Sequence, residues 1–151
     1  MKPTIRTKRW NDPREPDDGF RVLICRYRPR GVKKEDETWD AWCPALAPSA
    51  ELHAAAYGKG GAPPIAWSEY ERRFRDEMTS QGYWLKGFAE KVKSPAGDEQ
   101  ARRGENITLL CSSACTDEQR CHRTLVRDLI LALAATPHKE EPANARVIRR
   151  R

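Results

Sequence analysis

The stretch Ile107-Thr108-Leu109-Leu110, running into Cys111, Cys115 and the triplet Cys121-His122-Arg123, decides how this chain is read. Four apolar-rich residues bounded by polar sequence suit a short strand. Beyond the cysteines, Leu125, Val126, Leu129, Ile130 and Leu133 recur at helical spacing, with Arg123, Arg127 and Asp128 bordering or opposing them. Asp117 is placed to cap this helix with Glu118 in its first turn, and Thr116 with Gln119 forms a rival capping box. Strand, turn and helix in that order are the repeating piece of an α/β fold. Three cysteines and a histidine fall where the strand hands over to the helix.

Working outward, Phe20-Arg21-Val22-Leu23-Ile24-Cys25 is a second β-rich run, and its consecutive apolar residues fit a strand covered on both faces of a parallel sheet. Ile5 to Trp10 reads as a first strand, closed by the turn-forming Asn11-Asp12-Pro13 and Pro16-Asp17-Asp18-Gly19. Glu35 to Trp42, with Trp39 and Trp42 three apart, predicts a short helix, and another opens at Ser49 and runs to about Tyr57. Gly58 to Pro64 is a connector. Trp67 to Gln81 carries Trp67, Tyr70, Phe74 and Met78 close to one stripe, and Tyr83 to Val92 predicts a further helix. Ser94 to Glu105 reads as a loop, and Pro137 ends the last helix. The segment 137–151 is either a final strand around Val147-Ile148 or a basic tail ending in Arg149-Arg150-Arg151. Residues 1–151 are expected to form a single α/β domain with a small, open, mostly parallel sheet flanked by helices.

With 151 residues the chain is large enough to bury a core without covalent staples. Its longest apolar run, Leu129 to Ala135, is far short of a membrane span, which needs roughly 20 residues. The first residues lack the apolar centre of a signal peptide, so the expected location is the cytoplasm. Five cysteines, an odd number, then argue for thiols, metal ligands or buried residues over a disulfide framework. A formal charge of +6 favours an anionic partner, either a small ligand or nucleic acid.

Ligands of open parallel sheets bind beyond the carboxyl ends of the strands. If the three strands are parallel, one rim gathers Asp12 after the first, Arg26, Arg28 and Arg30 after the second, and the cysteines after the third. A thiolate at a helix N-terminus near His and Arg acts as a nucleophile or redox centre, which makes Cys111, Cys115, Cys121 and His122 the candidate catalytic set. Arg26, Arg28, Arg30, Arg123 and Asp12 are the candidate ligand-binding residues. The spacing from Cys115 to Arg120 leaves four residues between them, so the chain lacks the phosphatase-type Cys-x5-Arg loop. Cys121 and His122 also admit an ordinary reading as core residues that pack the helix on the sheet. A zinc site made of Cys111, Cys115, Cys121 and His122 has suitable ligand types, but it lacks Cys-x2-Cys spacing and asks two adjacent residues to reach one ion. It ranks behind a site without metal. Cys25 and Cys43 read as structural, with Cys25 near the rim. The basic run Arg26 to Lys34, with Tyr27 available to stack, supports nucleic-acid binding as an alternative.

The ordered series Lys8-Arg9-Trp10, Asp12-Pro13, Asp18-Gly19-Phe20-Arg21-Val22-Leu23-Ile24, Arg26, Pro29-Arg30-Gly31, Trp39-Asp40 and Ala47-Pro48-Ser49 resembles the YeaO-like family, domain of unknown function 488. Tyr70-Glu71-Arg72-Arg73-Phe74 and Leu109-Leu110-Cys111 extend the resemblance over most of the chain, and Cys121-His122-Arg123 resembles the form of another branch of that family. The resemblance implies a small cytosolic α/β domain without an established activity. Cys25 and Arg28 depart from it, standing where the family has Asp and Trp, and the loop from Cys111 to Cys121 is longer than its pattern.

Overall fold

The structure, a computed structural model, describes residues 4–93 and 106–135. Four strands, β1 (Ile5–Arg9), β2 (Phe20–Leu23), β3 (Ala41–Trp42) and β4 (Ile107–Cys111), form one parallel sheet in the order β1-β4-β2-β3. β4 lies between the first two strands, pairing Ile5 with Ile107 on one side and Phe20 with Ile107 on the other. Every residue of β4 is buried, as expected of a strand flanked by partners and covered on both faces.

The described residues include four α-helices: α1 (Ala50–Tyr57), α2 (Trp67–Met78), α3 (Gly82–Lys93) and α4 (His122–Ala135). The Ser49 hydroxyl accepts from the Leu52 amide at 3.1 Å and donates to Glu77 of α2 at 2.6 Å, so the cap of α1 is also its tether to α2. Phe74, Leu85, Leu125, Val126 and Ile130 from these helices join Ile5, Val22, Ile107 and Leu109 in the main core. The expected helices over 49–57, 67–81 and 83–92 are present, with Thr79–Gln81 tightened into a 3-10 turn. Before α4 the chain makes a separate 3-10 turn, Glu118–Arg120, whose cap is Asp117 accepting from the Gln119 amide at 3.0 Å.

The expected helix over Glu35–Trp42 does not form. Only Lys34–Asp36 turn, as a 3-10 helix, and Ala41–Trp42 become the edge strand β3. The backbone amides of Asp40 and Cys43 each donate at 2.8 Å to β2 carbonyls, those of Arg21 and Leu23. An isolated helix of so few residues is marginal, and pairing with a buried strand outcompetes it. The indoles separate as a result: Trp39 packs edge-on to Trp10 at 6.2 Å, whereas Trp42 stays half exposed and donates to the Cys25 carbonyl. The alternatives for 137–151 and the loop expected over 94–105 lie outside the described residues.

The second face of the sheet is covered by loops. Leu23 and Leu110 pack there against Trp39, with Trp10, Cys25 and Val32 around them. Next to this small cluster lies a charged one, in which Asp18 and Arg21 are both fully buried and paired at 3.0 Å. Arg21 also donates to the carbonyls of Trp10 and Asp12 at 3.5 and 3.2 Å, holding down the segment that connects β1 to β2. Lys8 reaches Asp18 at 2.7 Å, and Thr108 donates to its carbonyl. Gly19 makes the approach possible. Its φ is +62°, and a Cβ there would lie 2.0 Å from the Asn106 carbonyl oxygen.

Burial works to raise the Asp18 pKa, but hydrogen bonds from Lys8 and the Glu15 amide, with the charges of Lys8 and Arg21, outweigh it and hold the carboxyl below its ordinary value. Such a group stabilises the fold in full above the unfolded carboxyl value near ~3.9 and loses that contribution as pH falls through the lower folded value. Asp18→Asn leaves Arg21 buried without its counter-charge and is expected to cost about 3–5 kcal/mol in urea unfolding at neutral pH. Between pH 5 and pH 2 the variant's stability is expected to fall less steeply than that of the parent, as read by unfolding midpoints at each pH.

Candidate thiol and anion site

Because all four strands are parallel, the loops that follow them emerge on the same side of the sheet. The β2 loop, Cys25–Arg30, and the β4 loop, Ser112–Asp117, wall one cavity of about 680 Å3. The rim anticipated from the arginine loop and the cysteine turn is thus a shared cavity.

At its floor, Cys111 ends β4 and Cys115 sits in the following turn, while Cys121, just outside the lining, immediately precedes α4. Their three Sγ atoms lie within 4.8 Å of one another, with Cys111 and Cys115 only 3.3 Å apart. All are free thiols; Cys111 and Cys121 are buried, whereas Cys115 is half exposed and lines the cavity. His122 opens α4 and is buried beneath them. Its Nε2–H donates to the Ile24 carbonyl at 2.7 Å, which leaves the Nδ1 lone pair facing Cys111 Sγ at 3.7 Å. Burial lowers the His122 pKa, so the neutral ring fits this arrangement.

The thiols titrate as a group. Hydrogen bonds from Cys111 and Cys121 lower the pKa of Cys115, while burial opposes them and the charge of Arg123 assists. Cys111 is raised, chiefly because it donates to Cys115 and also interacts with Cys121 and Cys25. For Cys121, the hydrogen bond with Cys111 acts downward, but that with Cys115 and burial leave the net shift upward. Of the three, Cys115 is the thiol whose pKa is held down.

The predicted anion ligands divide. Arg26 and Arg30 are exposed at the cavity, and no ion pair engages either of them among the described residues. Arg28 also lines the cavity but is held by Glu37 through Nε and Nη2 at 3.0 and 2.7 Å, with its guanidinium over Trp39. Asp12 lies outside the cavity lining, its carboxylate taken by the Arg9 side chain and amide. Burial raises the Asp12 pKa, but the Arg9 bonds and the charges of Arg9 and Arg123 bring it below the ordinary value. Arg123 is only 5% exposed and does not line the cavity; Nε and Nη1 have no hydrogen-bond partner among the described residues.

Sequence reasoning missed the aromatic wall. His53 and Tyr57, one turn apart on α1, face the cavity with Trp67 and Tyr70 of α2. Burial and the charge of Cys115 push the Tyr57 pKa up to about 12, so the phenol stays protonated. The signal was present as a His and a Tyr four apart among alanines, but nothing in the sequence carries α1 to the strand ends. Arg120, at the mouth, was also missed.

Among the described residues, no helix is long and apolar enough to cross a membrane. The family described as "Active DUF488-N3 subclade" matches residues 5–134. The uncharacterised protein YeaO of Escherichia coli (strain K12) is 46% identical over 129 residues, covering 85% of this chain and 98% of that protein. The uncharacterised proteins Mb3100c of Mycobacterium bovis and Rv3073c of Mycobacterium tuberculosis are each 34% identical over 74 residues, covering 49% of this chain and 59% of theirs. No solved structure matches the chain. The family match over most of the described fold, joined to the YeaO identity across almost all of that relative, shows that this chain belongs to the YeaO-like DUF488 family.

Proposed function

We propose that the cavity binds a small anionic, nucleotide-like ligand and that the cysteine cluster at its floor supplies thiol-based enzymatic chemistry on that ligand. The observation that carries this reading is the convergence of two loops on one cavity, unpaired arginines at its mouth and a half-exposed thiol at its base. Arg26 and Arg30 are the anion contacts, with Arg120 beside them. Trp67, backed by Tyr70 stacked on it at 5.1 Å, offers planar surface against which a base or similar ring packs. Cys115 is the nucleophile, since Cys111 and Cys121 are buried behind it. His122 and Cys111 position it. The cytoplasmic setting expected from the sequence suits free thiols.

A second reading is favoured by one observation. Tyr27 is 63% exposed beside Arg26, and the loop runs on through exposed Lys33 and Lys34, a surface to which single-stranded nucleic acid binds by stacking and charge.

Modification of Cys115 by iodoacetamide is expected to slow at least about tenfold when saturating mononucleotide occupies the cavity, and the double variant Arg26→Ala/Arg30→Ala should lose that protection. Unchanged alkylation across a panel of mononucleotides and inorganic phosphate would remove the ligand reading. For the second reading, affinity for a labelled single-stranded oligonucleotide should fall with added salt, and neutralising Lys33 and Lys34 should flatten the slope by roughly one unit or more. Absence of binding at low salt discards it.

A further inference from the structure

The three sulfurs at the cavity floor have a geometry that nucleophilic use of Cys115 alone does not require. A tetrahedral ion with Zn–S bonds of roughly 2.3 Å holds its sulfurs about 3.8 Å apart. Here all three Sγ atoms lie within 4.8 Å of one another and the closest pair is at 3.3 Å, a spread that brackets this value. The same pair is well beyond the roughly 2.05 Å of a disulfide.

The histidine beside them fixes the position of Cys111. One ring nitrogen donates to a backbone carbonyl, which fixes the tautomer and turns the other lone pair toward the ligand set. His122 Nε2–H does this with the Ile24 carbonyl at 2.7 Å, and Nδ1 stands 3.7 Å from Cys111 Sγ. Three thiolates around a divalent ion leave one net negative charge. Arg123, buried and with two guanidinium nitrogens unpartnered among the described residues, is the neighbouring cation.

We propose that Cys111, Cys115 and Cys121 bind a single thiophilic divalent cation of the zinc class, with His122 as the residue that positions Cys111 beside it. Binding releases the thiol protons to solvent and forms three metal–sulfur bonds, without any change of oxidation state. The inference goes beyond the anion-binding reading and would stand if the cavity took no anion. It is compatible with thiol chemistry, because a metal-bound thiolate retains a lone pair directed at the cavity.

The test uses the full chain, purified, treated with chelator under reducing conditions and titrated with Co2+ and then Zn2+. One equivalent of Co2+ is expected to give intense sulfur-to-cobalt absorption in the near ultraviolet and strong visible bands of a tetrahedral site, both abolished by one equivalent of Zn2+. Cys115→Ser and Cys121→Ser should each weaken binding at least about a hundredfold, since changing even an outer-shell partner costs roughly 10–100-fold. Arg26→Ala/Arg30→Ala should bind Co2+ as the parent does, which separates this inference from the anion-binding reading. Circular dichroism confirms that each variant is folded before titration. Absence of stoichiometric binding by the folded parent, or a Co2+ spectrum unchanged in both serine variants, overturns the proposal.

Discussion

The buried pair between Asp18 and Arg21 is the constraint on which the arrangement of this protein depends. Two opposite charges removed from water are tolerated only when their remaining donors and acceptors are met. Here Arg21 Nη2 binds the carbonyls of Trp10 and Asp12, leaving only its Nε without a partner among the described residues, and Asp18 is held by Lys8 and the Glu15 amide. The segment between β1 and β2 is thereby folded onto the sheet and does the work a crossover helix does in most parallel folds. β4 can then insert between β1 and β2 with one face against helices and the other against this loop layer.

The site follows from that insertion. With β4 central, its carboxyl end opens between the loops of its neighbours, and α4 returns across the helical face with Cys121 and His122 at its start. His122 then bonds the Ile24 carbonyl, just beyond β2, so the residue that orients the cysteines also joins two strand ends. Packing and chemistry are thus served by the same side chain. The main core supplies rigidity on one side, where Phe74 packs against the His122 ring at 5.7 Å between centroids. On the other side the exposed arginine loop leaves the cavity open to a charged partner.

Much of the fold was legible because its signals are local. Consecutive apolar residues bounded by turn chemistry marked the strands at Ile5, Phe20 and Ile107, and helical periodicity marked α2, α3 and α4. β3 was misread because Trp39 and Trp42 have a spacing that suits a helix, while the deciding hydrogen bonds come from β2, far away in the chain. The cysteine triplet and the arginine loop were legible as chemistry, and their shared cavity followed from the rule for parallel sheets. What the sequence did not show for Asp12 and Arg28 is their ion pairing: both are charged rim residues by sequence, and Arg9 and Glu37 engage them.

By itself the sequence determined the element types and the reactive inventory: a parallel α/β scaffold with Cys111, Cys115, Cys121 and His122 at one strand-to-helix turn. Those properties depend on residue type and short-range spacing, which a linear chain carries directly. Only the tertiary structure decided that three sulfurs meet within 4.8 Å, that His53 and Tyr57 join them, and which arginines remain unpaired. Such facts are distances between segments remote in sequence. They are set by burial of the sheet's two faces and by satisfaction of the charges beneath it, which no local pattern encodes.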